Sequence, residues 1–252
     1  MVGAPALDDA LARARRLPSL RVGLHLVVVC GRPVLPPAEV PDLVGRDGAF
    51  SRELVRAGVR FFFRPRVRRQ LAAEIRAQFE RFRATGLPLD HVNGHNHMHL
   101  HPTVLGLIVR IGRDYGLGAV RLPHEPFLAS WRAARRGFAR RLANDLCLRP
   151  LIAAQRRRLG RAGVRSNDYL FGMNDSGAMD RERLLALLAN LPEGVSEIYC
   201  HPASGPWPAM DPGARHYRVA DELAALVDGA VAGALGRLGI EPTAFGDLPP
   251  GR

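Results

Sequence analysis

Residues 90–102, DHVNGHNHMHLHP, are the most informative stretch of this chain. Five of its nine histidines fall there: His91, His95, His97, His99 and His101. Alternate residues of a strand share a face, so the spacing predicts that these five imidazoles point the same way. Imidazole is neither a good core filler nor a strong solubiliser, but in its neutral form it is the commonest protein ligand for zinc and similar ions. The run therefore predicts metal binding. It leaves the choice of ligands open, because H-x-H-x-H-x-H is not a zincin or zinc-ribbon spacing.

Working outward, Leu89–Val92 reads as a short strand running into the cluster. Before it, Val67–Thr85 reads as a helix closed by Gly86 and Pro88. Ala6–Leu17 carries apolar residues at helical spacing, and Ser19–Val29 (SLRVGLHLVVV) reads as a buried strand. Residues 31–48 hold four prolines and form a long loop, a kind that is usually functional. Downstream come a helix at Thr103–Tyr115, a strand at Ala119–Leu122 and an arginine-rich region from Ser130 to Arg165. Then follow a helix at Arg181–Asn190, a strand at Ser196–Cys200, two helices between Ala220 and Leu238, and a last strand near Pro242–Phe245. This alternation predicts an α/β fold with a mainly parallel sheet, its chemistry at the C-terminal ends of the strands. A chain of 252 residues is expected to form one domain.

Two more histidines stand at such strands. His25, between Leu24 and Leu26, suits either a core residue with one hydrogen bond or a metal ligand. His201, after SEIYC and before Pro202, is equally ambiguous alone. If the sheet is parallel, histidines from three strands converge. Two imidazoles on a metal would still want a carboxylate and an open position for water.

The net charge is +12, and all 36 basic residues are arginine. Heavy Ala, Gly and Pro usage beside it points to base composition rather than selection for phosphate binding, and no zinc finger, RNP motif or basic zipper is present. Nucleic acid is not the expected ligand. Three scattered cysteines (Cys30, Cys147, Cys200) suit incidental thiols in a reducing compartment. With no apolar run of spanning length and no basic-then-apolar leader, a cytoplasmic or membrane-peripheral location is expected.

The strings PSLRVGLHL, GRPVLPP, DHVNGHNHMHLHP, YCHPA and HYRVADELAAL…LGIEPTAFGDL resemble the YdjC-like carbohydrate deacetylases along nearly the whole chain. NDYLFGMNDSGAM and the arginine-rich middle resemble the branch linked to hopanoid biosynthesis. The resemblance implies a single domain over residues 1–252, a distorted (β/α) barrel related to polysaccharide deacetylases. It implies removal of an acetyl group from an N-acetylated sugar or lipid-linked sugar, with a divalent ion, Mg2+ or Zn2+. By that resemblance His25 and His95 are metal ligands and His201 is the catalytic residue near the scissile amide. His97 and His99 orient ligands or contact the sugar, and Arg121 binds a substrate oxygen.

The family begins with a strand ending in Asn-Ala-Asp-Asp-Phe-Gly, whose aspartates supply the third ligand and the general base. No such motif occurs here, so the resemblance implies that the first βα unit is absent. The expected reason is a start assigned too late, with a decayed copy as the alternative; this chain is expected to bind metal weakly and hydrolyse little. Asp8-Asp9 lies in an amphipathic helix and does not take over the role. A second reading is a catalytically inactive membrane-surface or sugar-binding protein of the same fold. On that reading Ser130–Leu148 is one basic amphipathic helix, with Trp131, Phe138, Leu142 and Leu146 on its apolar face and Arg132, Arg135, Arg136, Arg140 and Arg141 mostly elsewhere.

Overall fold

The computed structural model describes residues 1–207 and 210–249. The chain divides into two compact units: residues 1–121, 154–166 and 244–252 form the first, and 122–153 with 167–243 the second.

In the first unit, α1 (Leu7–Arg15) precedes β1 (Leu24–Leu26), α2 (Leu54–Phe63), α3 (Pro65–Arg83), β2 (Val92–Gly94) and α4 (Pro102–Gly112). β1 and β2 pair in parallel, His25 opposite Asn93. Single parallel bridges, Val92 to Val120 and Ala119 to Arg165, continue the same layer. α3 starts on Pro65, whose missing N–H costs a first turn nothing. It buries Val67, Leu71, Ile75 and Phe79 at helical spacing and is followed by Gly86 at φ +73. α4 also starts on a proline, Pro102, and His101 caps it: its Nδ1 accepts from the Thr103 amide at 3.3 Å.

The second unit begins with α5 (Phe127–Ala134) and α6 (Phe138–Arg161), whose last turns belong to the first unit. β3 (Tyr169–Phe171), α7 (Arg181–Leu188), β4 (Ser196–Ile198), α8 (Val219–Leu226) and α9 (Gly229–Arg237) follow. β3 and β4 pair in parallel, and Phe171, Met179, Leu184, Leu187 and Ala225 form a core beside them.

The mixed helix-and-strand class is as expected. A closed (β/α) barrel is not seen among the described residues: regular strand pairing is confined to two short parallel sheets. One cause is visible at β1. The expected strand over 19–29 is cut to three residues, because Val27 pairs with a side chain instead of a strand. The Gln78 amide donates to the Val27 carbonyl (2.7 Å) and accepts from its N–H (3.0 Å). Fully buried Glu74 then accepts from Val34 and Leu35 (2.8 and 3.1 Å) and from Gln78 (2.8 Å), fixing the start of the 31–48 loop on α3. The strand expected near Pro242–Phe245 is instead a single turn of 3-10 helix at Phe245–Asp247.

The arginine-rich middle is also not one helix from 130 to 148. It breaks at Arg135 (φ +52) and Gly137 (φ +66), between α5 and α6. Trp131 and Phe138 are thereby folded against each other and against Phe127 (centroids 5.5 and 4.9 Å from Phe138). Arg141 is not part of a solvated basic face. It is fully buried, and its guanidinium donates to both carboxylate oxygens of Asp175 (2.7 and 2.8 Å), to Ser130 and to Glu125.

Candidate functional site

The parallel register of β1 and β2 brings His25 beside the turn that follows Gly94. His25 Nε2 faces His95 Nδ1 at 3.4 Å, and the rings meet edge-on. Burial drives the His25 pKa down to about 3, so its imidazole is neutral at ordinary pH, the form that ligates metals.

The five-histidine run is not a continuous strand, which corrects the expectation that all five share one face. β2 ends at Gly94, and residues 95–100 coil into a 3-10 turn with Asn96 (φ +50) and His97 (φ +53) in the left-handed region. The imidazoles part company there. His95 turns to His25. His99 is buried, with Nε2 donating to the Arg121 carbonyl at 3.0 Å and Nδ1 left without a hydrogen bond. His97 packs beside His99 (5.9 Å), while His101 caps α4.

Behind His25 lies a chain of polar groups, of which the sequence reading singled out His91 but not Asp90 or Asn93. Asp90 Oδ2 is 2.8 Å from His91 Nδ1, and its Oδ1 accepts from the Gly246 amide at 2.8 Å. His91 Nε2 is 3.2 Å from the Asn93 amide, which is 2.6 Å from His25 Nδ1. Gly23 makes room for this: a Cβ there would lie 2.7 Å from His91 Nε2.

The Asn93 amide has two orientations with opposite consequences. With its oxygen toward His25, Nδ1–H of His25 donates to it, the amide nitrogen donates to His91, and the His25 Nε2 lone pair points at His95. Turned over, the amide nitrogen donates to His25 Nδ1, while the oxygen accepts from Arg121 (3.2 and 3.3 Å) and His91 (3.2 Å). Nε2 then carries the proton. The second pairs more donors when no cation is present; only the first leaves His25 able to ligate.

Imidazoles facing nitrogen to nitrogen fit two positions of a divalent-cation site. Among the described residues, no three or more His, Cys, Asp or Glu side chains are grouped to complete one. Asp9 is far from such a role, paired with Arg13 (2.8 Å) on the exposed face of α1.

His201 belongs to the second unit, just after β4. Its ring is exposed and packs on Tyr199 (5.5 Å) and Tyr217 (4.8 Å). Its backbone is held by Glu222, a fully buried carboxylate whose oxygens accept from the His201 amide (2.6 Å) and the Met179 amide (2.9 Å). Glu222→Ala leaves both donors without an acceptor. It is expected to cost about 2–6 kcal/mol at roughly 1–3 per stranded group; urea unfolding of the variant checks this.

The fold and site define a mixed helix-and-strand protein with a facing pair of imidazoles beside two paired parallel strands. A family model described as YdjC-like protein matches residues 1–237, so the chain belongs to the YdjC-like family. It is 28% identical to a carbohydrate deacetylase of Geobacillus stearothermophilus, over 96% of this chain and 81% of that protein. A carbohydrate deacetylase of Brevibacillus brevis is 36% identical over 49% of this chain and 46% of its own length. One from Vibrio vulnificus is 41% identical over 46% of this chain and 43% of its own. Among solved structures, a protein of Enterococcus faecalis V583 described as a cellobiose-phosphate cleavage protein shares the fold, with a TM-score of 0.65 at 23% identity. That match covers 97% of this chain and 84% of the other.

Proposed function

We propose that this protein is a metal-dependent deacetylase of N-acetylated sugars, free or lipid-linked, with His25 and His95 holding a divalent cation, Mg2+ or Zn2+. The observation that supports this most is the facing pair His25 Nε2 and His95 Nδ1, backed by a polar chain that can fix the His25 tautomer. The names of its relatives support the acetylated-sugar substrate. A bound divalent cation would supply Lewis acidity toward the acetyl carbonyl and acidify a water.

The chain's own residues do the rest. With its oxygen toward His25, Asn93 holds His25 with Nε2 deprotonated. Asp90 sets His91 as an acceptor for the Asn93 amide. His201 is assigned the proton for the leaving amine, a role for which an exposed imidazole on a Glu222-anchored backbone is suited. Arg121, whose carbonyl is engaged by His99 and whose guanidinium stands beside the Asn93 amide, is assigned to a sugar oxygen.

A second reading, a sugar-binding protein without turnover, is favoured by one observation: no third ligand joins the histidine pair among the described residues. The test is acetate release from an N-acetylated hexosamine disaccharide, with and without added Zn2+ or Mg2+. Metal-stimulated release that a chelator abolishes supports the deacetylase. Sugar binding without release supports the second reading, and neither binding nor release sinks both.

A further inference from the structure

The first unit carries a surface that the proposed chemistry does not use. α2 buries Ala57, Gly58 and Phe61, yet leaves Val55 (83% exposed), Val59 (53%), Phe62 (49%) and Phe63 (71%) facing outward. Positions 55, 59, 62 and 63 fall at i, i+4, i+7 and i+8, so they form one continuous apolar stripe. A ten-residue helix that points four large apolar side chains at water has its hydrophobic face uncovered.

Phe62 is also on the lip of an adjoining groove of about 860 Å3. Six arginines line that groove from three directions: Arg68 and Arg69 on α3, Arg110 and Arg113 on or just after α4, and Arg158 and Arg161 at the end of α6. Among the described residues none of the six pairs with a carboxylate, and Asp114, next to Arg113, is taken by Arg76 (3.2 Å). The groove is built rather than left over. Arg158 lies across α4 with Nη1 donating to the Pro102 carbonyl (2.7 Å), and Gly106 admits it, since a Cβ there would overlap the guanidinium. Six exposed arginines with no carboxylate partner lining one groove attract an anion, and their planar guanidinium forks match phosphate oxygens.

We propose that the α2 stripe and the arginine groove together dock this protein on a bilayer rich in anionic phospholipid. An apolar stripe beside a phosphate-binding groove fits a partner that offers apolar depth and phosphate within one helix width, which the headgroup–acyl boundary does. Phe62 and Phe63 enter that boundary while the arginines take lipid phosphates. This surface is distinct from α5 and the first turns of α6, and it stands whether or not the protein hydrolyses a sugar. The net charge of +12 brings the whole chain to such a membrane by long-range attraction.

The experiment is co-sedimentation of the full chain with phosphatidylcholine vesicles, with and without phosphatidylglycerol. Expected is binding to the mixed vesicles only, weakened by high salt. Binding is expected to fall about tenfold or more in Arg110→Glu/Arg113→Glu, from roughly 1 kcal/mol per arginine at the surface, and also in Val55→Ser/Phe63→Ser. Both pairs are exposed, so circular dichroism should show intact folds; Phe138→Ser/Leu146→Ser on α6 should bind like the parent. Failure to bind mixed vesicles would overturn the proposal, as would binding indifferent to both substitution pairs. So would a dimer in vesicle-free buffer that Val55→Ser/Phe63→Ser turns into a monomer, because the stripe would then be covered by a second copy.

Discussion

Arg141→Met is expected to destabilise the second unit by about 3–5 kcal/mol, the usual cost of removing one partner from a buried ion pair. That is a large part of the roughly 5–15 kcal/mol by which domains are stable. Methionine keeps much of the apolar stem, so the loss is electrostatic rather than a cavity. Without the guanidinium, Asp175 and Glu125 stay buried (5% and 6% exposed) and lose their fully buried counter-charge. Arg136 reaches the same Asp175 at 3.3 Å, but it is 61% exposed, so Arg136→Ala should cost about 1 kcal/mol or less. Equal costs for the two would refute the claim that burial decides.

The pH dependence carries a sign. Burial raises the Asp175 pKa, but the Arg141 guanidinium more than offsets it and holds the carboxyl below the usual range. Asp175 therefore binds its proton less readily folded than unfolded. The stability it lends is present above the unfolded carboxylate value of about 4 and is lost as pH falls through the lower folded value. Taking Arg141 away raises that folded value. The gap between parent and variant should thus be widest near neutrality and shrink through the acid range, measured by denaturant unfolding at a series of pH values.

Arg141 also marks where sequence reading stopped short. Counting helical periods through residues 130–148 placed it on a basic face, and one cue against this was Gly137, which the backbone uses at φ +66 to start a new helix. A similar limit applies at α3. Glu74 and Gln78 look like ordinary polar positions of an amphipathic helix, yet they replace strand partners for Val27, Val34 and Leu35. Residues 54–63 drew no assignment because their apolar side chains face outward, and patterning finds helices by the face they bury. What was legible rested on short-range rules: Gly86 and Pro88 closing α3, and the two helices after residue 218. The pairing of His25 with His95 came from the family resemblance, since the spacing of the cluster alone left the choice of ligands open; parallel pairing of β1 and β2 then brings the two side by side. The orientation of His97 and His99 was not legible, since a period of two assumes that the strand continues, and Asn96 and His97 leave it.

Zn2+ affinity should respond to Asn93 in opposite directions according to what replaces it. His25→Ala or His95→Ala removes one of two ligands and is expected to reduce affinity below detection, with thermal unfolding little changed. Asn93→Ala removes the group that sets the His25 tautomer and should weaken binding about 10- to 100-fold, as losing a partner behind a metal-bound histidine does. Asn93→Asp is the informative case. A carboxylate cannot turn over to offer an N–H, so it only accepts from His25 Nδ1–H, leaving the Nε2 lone pair permanently aimed at His95. It also gains the nearby Arg121 guanidinium as a counter-ion, which sits 3.2 and 3.3 Å from the position its second oxygen takes. The Asp variant should therefore bind Zn2+ more tightly than the parent, by about tenfold or roughly 1.4 kcal/mol, when measured by isothermal titration. A parent that must first turn its amide loses that much to the competing orientation. Were Asn93→Asp to weaken binding as Asn93→Ala does, the tautomer would not be what Asn93 controls, and Asn93 would matter only for holding β1 and β2 in register.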